Sequence, residues 1–298
     1  MLGFEPFGAL ESSVVRSAIP MATMALTLGA CSLLTSLDGL SEPTAAVPVE
    51  AGSDTATGPT GPTGDASTTV DGPADAATEA HFDCNAAGLV AFYGFDEGAG
   101  GLVHDCSPRH LDGTFDASAG NTAWGMRRGG GAITFAGDGG RVTVPYAPAL
   151  DMPGAFTVAG FFRVDAPPSS YVSLAWHFFQ GRGWEITFAQ DAAFAQVGLV
   201  SGEVLRLPFP RFAMSTWRHL AAVYEPGVRM EIYLNGASAA KLTTVDGGAL
   251  PNVPASSVNA DLGIGSVFDG TSWSGGADDL AIFARALSDA ELAALAAR

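Results

Sequence analysis

"STWRHLAAVYEPGVRMEIYLNGA", Ser215 to Ala237, decides the fold. Leu220, Ala222 and Tyr224 alternate with His219, Ala221 and Val223. Met230, Ile232 and Leu234 alternate with Glu231 and Tyr233. Period-two alternation reads as strand, because successive side chains in an extended chain point to opposite faces. Pro226-Gly227 separates the two runs and Asn235-Gly236 closes the second. Asn-Gly is the strongest two-residue hairpin signal, since both central positions of a type I′ turn need positive φ. The stretch therefore predicts two strands and a tight turn into a third.

The same texture extends outward. "TVAGFFRVD" places Val158, Gly160, Phe162 and Val164 opposite Thr157, Ala159, Phe161 and Arg163, and "GWEITFAQD" puts Ile186 and Phe188 on one face. "ITFAGDGGRVTVP" reads as a second hairpin turning at Asp138-Gly139-Gly140. Short strands separated by glycine-rich turns, with 38 Gly in 298 residues, point to an all-β antiparallel sandwich. The end differs: "LSDAELAALAAR" predicts a short helix with Ser288 as N-cap and Glu291 completing a capping box. Leu292 and Leu295 share the face that would dock on the sandwich.

Net charge is −17, unevenly spread. Residues 32–82 carry eight acidic residues and no Lys or Arg. No basic stripe is present to meet phosphates, so nucleic acid is excluded as an expected partner. The segment "DTATGPTGPTGDASTTVDGPADAATEA" has too little apolar surface to offset its ordering entropy, so residues 31–81 are expected to be a disordered acidic tether. As a flexible coil it would span ~40 Å. Residues 82–298 form the expected sandwich domain.

Several blocks, in order, resemble the laminin-G-like, concanavalin-type jelly rolls of bacterial secreted proteins. "GLVAFYGFDEGAGGLVHDCSPRHLDGTF" is similar to their opening strand and loop, and "GGAITFAGDGGRVTVP" to the next strand pair. "FTVAGFFRVD" resembles a strand in which Phe162 stands where a Trp is usual. The Ser215–Ala237 block resembles the Trp-x-His segment, and "GADDLAIFARALSDAELAAL" the closing strand and helix. The resemblance implies a two-sheet antiparallel concanavalin/laminin-G-like jelly-roll sandwich with a short C-terminal helix. It implies no single activity, because function lives in sites grafted on the fold.

The chain has three cysteines. Cys84 and Cys106 bracket the first expected strand; a bridge between them is the expectation, against two free thiols. Cys31 follows Arg16 and the uncharged run Ile19 to Ala30, which resembles a secretory signal. Leu28-Gly29-Ala30-Cys31 matches the bacterial lipobox, which implies cleavage before Cys31, residues 1–30 as signal peptide, and lipidation of the Cys31 thiol. Several acyl chains hold firmly where one is marginal. A plain secretory signal is one alternative. A bilayer span over the uncharged residues 19–37 is another, with Pro20 and several Ser and Thr against it.

No catalytic residue is expected. The Glu-x-Asp-x-x-Glu run of related glucan-cleaving enzymes, which aims two carboxylates into one cleft, is absent. Glu185 and Glu231 each lack an acidic neighbour two or four residues away. Asp96-Glu97 and Asp278-Asp279 are adjacent and in extended chain would face opposite ways. The histidines at 104, 110, 177 and 219 lack metal-ligand spacing, and His219 reads as structural. Asp105 and Asp112 in "DCSPRHLDG", with Asp278, resemble the acidic positions of the family's calcium loop, which implies one structural calcium ion. The competing reading makes Asp105 and Asp112 turn-forming residues and Asp278 a surface contact. Trp124, Tyr171, Trp176, Trp184 and Trp273 lie nearest the expected loops and are the candidate sugar-stacking rings, with core packing the commoner fate of such a residue.

The expectation is thus a monomeric, exported protein held by lipid at a bacterial outer membrane or cell surface. It would present a non-catalytic module for a glycan or an envelope or extracellular protein. A polysaccharide hydrolase of the same fold, or a purely adhesive module, are the rival readings.

Overall fold

The computed structural model describes residues 81–166, 168, 171–199, 201–251, 259–266 and 273–298. Cys31, the signal peptide and all of the tether except His81 lie outside the described residues. The strands run in order Leu89–Tyr93 (β1), Leu102–Val103 (β2), Gly113–Thr114 (β3), Thr122–Arg127 (β4), Gly130–Ala136 (β5) and Arg141–Val144 (β6). Phe156–Val164 (β7), Val172–Phe179 (β8), Arg182–Phe188 (β9), Ala193–Gly198 (β10) and Val204–Pro208 (β11) follow. Arg218–Glu225 (β12), Arg229–Leu234 (β13), Ala237–Leu242 (β14), Thr244–Val245 (β15), Gly248–Ala249 (β16), Leu262–Gly265 (β17) and Ser274–Phe283 (β18) complete the set, before the helix Asp289–Ala296 (α1).

Sixteen of the strands form two antiparallel sheets, and β15 and β16 pair with each other in a separate two-stranded ladder. The first has the order β14-β13-β12-β7-β18-β5-β4, with β1 also paired to β18; the second runs β11-β10-β9-β8-β17-β6-β3-β2. Val158, Phe162 and Val164 of β7, Leu220 and Tyr224 of β12 and Ile232 of β13 meet Trp184, Ile186, Leu205, Val142 and Ile264 in one core between the sheets. The Asn235-Gly236 turn joins β13 to β14 with φ of 50° and 78°, as type I′ requires.

Asp138-Gly139-Gly140 is not a hairpin turn. β5 pairs with β4 and β18 in the first sheet, whereas β6 pairs with β17 and β3 in the second. The glycines, with Gly137 and Gly139 at φ of 89° and 93°, turn a corner that carries the chain from one sheet to the other. Local turn chemistry is the same for both outcomes; the pairing partners decide it, and these are remote in sequence.

The first sheet is covered on both faces, which explains why β7 and β12 carry apolar residues at nearly every position. On its outer face Ala159, Ala221, Val223, Ala281 and Phe283 pack beneath Leu292 and Leu295 of α1 and beneath Phe82. The capping box forms as expected: Ser288 Oγ accepts from the Glu291 N–H and Glu291 accepts from the Ser288 N–H. Arg285 and these Ser288 contacts hold the Glu291 carboxyl down at about 2. Cys84 and Cys106 are bonded, with Cα atoms 5.5 Å apart, and tie the entry of the chain to the loop behind β1. Phe82 stacks on Phe92 at 3.7 Å beside them. Reduction of this bridge is expected to lower stability by about 3 kcal/mol, the closure entropy of a loop of this size; guanidinium unfolding with and without reductant measures it.

Asp278 and Asp279 do not face opposite ways. β18 carries a register shift between Asp278 and Ala281, and Asp279 adopts φ of 48°. The bulge turns both carboxylates onto Arg127, whose Nε donates to Asp278 and whose Nη2 donates to Asp279 at 2.8 Å. His219 lies 2 % exposed beside them, edge-on to Phe161. Burial and the neighbouring Arg127 charge push its imidazole down to about 4, so it is neutral at physiological pH. It is buried, as a structural histidine would be, but its Nδ1 has no partner among the described residues.

Candidate functional site

The second sheet turns one face to the core and one outward. Trp184, Ile186 and Phe188 of β9, Ala195 and Val197 of β10, and Leu205 and Leu207 of β11 belong to the core. Alternation therefore places Glu185, Thr187, Phe194, Gln196 and Arg206 on the outward face. On β8 a register shift between Ser173 and Ala175 keeps both Ser173 and Trp176 outward. The registers align these positions in one transverse row: Arg206 opposite Gln196, Gln196 opposite Glu185, Glu185 opposite Trp176, Trp176 opposite Gly263, Gly263 opposite Thr143, and Thr143 opposite Thr114. Seven strands at the usual spacing make this row about 29 Å long.

Its middle is closed. Trp176 is 3 % exposed, lies flat over Gly263 and donates its indole N–H to Ser266 O at 2.9 Å. A Cβ at Gly263 would meet that ring at 2.2 Å, so the strand needs glycine there. The two ends are more open. At one, Thr114, Phe115, Asp116, Asn121, Arg141 and Thr143 line a polar groove of about 300 Å³. At the other, Tyr171 is 57 % exposed and edge-on to Phe194, and the Arg206 guanidinium lies 4.7 Å from the Phe194 ring centre.

Between the ends runs a chain of hydrogen bonds. Ser173 Oγ donates to Glu185 Oε1, the Gln196 side-chain amide donates to Glu185 Oε2, and Arg206 Nε donates to Gln196 Oε1 at 2.7 Å. Burial pushes the Glu185 carboxyl up, while Ser173, Gln196 and the Arg206 charge pull it back. Glu185 is the only carboxylate in the transverse row, so the row holds no acid pair of the kind glycoside cleavage uses.

The sequence-expected residues scatter. Trp176, Trp184 and Trp273 are 3 %, 2 % and 0 % exposed and cannot offer a ring face to a ligand; Trp273 donates to Arg163 O from within the core. For Trp184 and Trp273 that apolar area is worth more in the core than at a surface, whereas Trp176 is covered on the outward face. Trp124 is half-buried at the sandwich edge against Phe115, with its indole N–H on Gly100 O. Tyr171 alone of the five is exposed and on the outward face.

The calcium set does not assemble. Asp105 is 2 % exposed, and its carboxylate accepts from the Phe92, Ser107 and Leu111 N–H groups and from Ser107 Oγ. Asp112 accepts from the Asp105 N–H, and Asp278 is committed to Arg127. Among the described residues no three His, Cys, Asp or Glu side chains are grouped to hold a metal. These donors do not fit a calcium ion: Asp105 and Asp112 are spent on shaping the loop between β2 and β3, the turn-forming alternative, while Asp278 is a buried partner of Arg127 and not a surface contact.

Sequence reading missed the relay of Ser173, Glu185, Gln196 and Arg206. Each is a lone polar residue in an apolar strand, a signal visible in "GWEITF" and "VLRL", but their alignment depends on strand register.

Two face-packed antiparallel sheets in this strand order are the architecture of a concanavalin-like jelly roll. The model of the concanavalin A-like lectin/glucanases superfamily matches residues 136–293, and the chain belongs to that superfamily. No curated protein is detectably similar in sequence. Among solved structures, the binding domain of Paraclostridial Mosquitocidal Protein 1 superposes with a TM-score of 0.57 at 14 % identity, over 70 % of this chain and 52 % of that one. The ligand-binding domain of botulinum neurotoxin serotype D, solved with N-acetylneuraminic acid, gives 0.57 at 12 % identity over 70 % and 50 %. A Trypanosoma rangeli sialidase gives 0.51 at 17 % identity over 72 % and 33 %. The chain thus spans about half the length of the toxin domains and a third of the sialidase; the likeness is one of fold.

Proposed function

We propose that the domain is a non-catalytic glycan-binding module, exported and held by lipid on Cys31 at the outer membrane or surface of a bacterial cell. The observation that carries the reading is the outward face of the second sheet, where exposed Tyr171 stands beside Phe194, Arg206 and a row of hydrogen-bonding groups. Aromatic faces stack on the apolar C–H patches of sugars, and flanking polar groups fix orientation. The lone Glu185 supports binding over hydrolysis. The N-acetylneuraminic acid in the serotype D structure supports a sugar as ligand class. The Leu28–Cys31 lipobox and the tether composition support the lipid attachment.

A glycan array probed with the full-length protein tests this. Retention on one glycan class is expected, without release of reducing sugar. Tyr171→Ala is expected to weaken retention about two- to twelvefold, as removal of one stacking contact of about 0.5–1.5 kcal/mol would. Its melting temperature should stay unchanged, since the ring is exposed. Binding untouched by Tyr171→Ala would move the site elsewhere.

A further inference from the structure

We propose that Arg206 makes the outward face of the second sheet selective for carboxylate-bearing sugars, of the uronic or sialic acid class. The inference rests on the glycan-binding reading above and adds the chemistry of the ligand.

The Gln196 side-chain NH2 group donates to Glu185 Oε2. That fixes the amide: the Gln196 oxygen then faces the other way, where it accepts the Arg206 Nε–H at 2.7 Å. Ser173 holds the far carboxylate oxygen. The guanidinium is thus locked at Nε and laid on the Phe194 ring at 4.7 Å. Its outer edge, Nη1 and Nη2, has no partner among the described residues, and the side chain is half-buried.

A planar fork whose rotation is already frozen loses little freedom on binding. Two parallel N–H groups match the two oxygens of a carboxylate, and charge assistance makes such pairs about twice as strong as neutral ones. A neutral sugar hydroxyl takes only one of the two. Glu185 lies behind Gln196 in the row, so an incoming carboxylate meets the guanidinium and not the acid. Tyr171, edge-on to the same Phe194, supplies the stacking surface next to the fork. Gln196 and Glu185 are positioning residues; Arg206 makes the contact.

The test titrates the full-length protein, in detergent, with two matched pairs of probes: oligogalacturonate against its methyl ester, and sialyl-lactose against lactose. At least one acid is expected to bind about tenfold or more tighter than its neutral partner, with the margin shrinking in high salt. Arg206→Gln should reduce the acid to the level of the neutral probe. Arg206→Lys, which keeps the charge and loses the fork, should not restore it. The melting temperature of both variants reports whether the fold is intact. Acid binding that survives Arg206→Gln, or equal binding of both members of each pair, overturns the inference and leaves the glycan-binding reading standing. Failure of all four probes together with a blank glycan array removes both.

Discussion

An Arg127→Met variant is expected to unfold about 3–5 kcal/mol more readily than the parent protein at neutral pH. Arg127 and Asp278 are each 5 % exposed at the side chain and Asp279 is 12 % exposed. The guanidinium answers both carboxylates, lies 3.7 Å from the Phe161 ring centre and donates to Arg298 O at 3.2 Å. Methionine would fill much of the volume and leave Asp278 buried without its guanidinium beside Asp279, which keeps Arg298 at 3.4 Å. That configuration is costlier than the intact pair is stabilising, because an uncompensated charge has lost its water. The sign of the pH dependence follows. Burial and the adjacent Asp279 already raise Asp278 to about 7 in the folded protein, against the pull of Arg127. Removing that pull raises it further, and a folded value above the unfolded one favours the fold only once the acid is protonated. The deficit of the variant should therefore narrow as pH falls from about 9 toward 7, and change little below 7, where the folded Asp278 is protonated in both proteins. Urea unfolding across that range measures it. The triple variant Arg127→Met, Asp278→Asn, Asp279→Asn should recover most of the loss. A deficit that does not change with pH would show that packing on Phe161, rather than charge, sets the cost.

Trp273→Ala is expected to cost about 3–5 kcal/mol as well, by a different route. The ring is fully buried, 4.7 Å from Phe135 and 6.4 Å from Phe162 between ring centres. Its loss leaves a cavity and an Arg163 carbonyl without its donor. Trp273→Phe keeps most of the volume and should cost less. Whatever fraction of Trp273→Ala remains folded should bind ligand normally, whereas Tyr171→Ala should stay folded and bind poorly. The two variants separate the core tryptophan from the surface aromatic, a distinction that composition and loop proximity did not draw.

Much of the architecture was readable along the chain. Period-two alternation and the Asn235-Gly236 turn identified the β12–β13–β14 ladder, and Ser288 with Glu291 located the helix. These signals are local: a turn needs positive φ, and a helix start needs its N–H groups answered. What failed was non-local. Asp138-Gly139-Gly140 specifies a sharp reversal but not whether the next strand pairs with the last. The strict alternation that put Asp278 and Asp279 on opposite faces broke at a bulge, and only the position of Arg127, 151 residues away, shows why. The same limit hid the face proposed to bind ligand. Glu185, Gln196 and Arg206 sit on three strands and become one row, with Ser173 of β8 reaching in from beside it, only when the registers are known. The aromatic candidates erred for a related reason, since proximity to a loop does not say which side of a sheet a ring occupies.

The staple at the entry of the domain has a mechanical consequence. Phe82 lies on the outer face of the first sheet, and the ligand face proposed here is the outer face of the second. If the chain is held through the residues before Phe82, as the lipid-anchor proposal has it, the sandwich stands between that attachment and whatever it grips. A pull between the two loads the structure across its thickness. At the suspended side that pull arrives at Cys84, where the covalent link hands it directly to Cys106 on the loop behind β1. Tension reaching the domain is shared by two points of the chain before any pairing of β1 with β18 has to bear it.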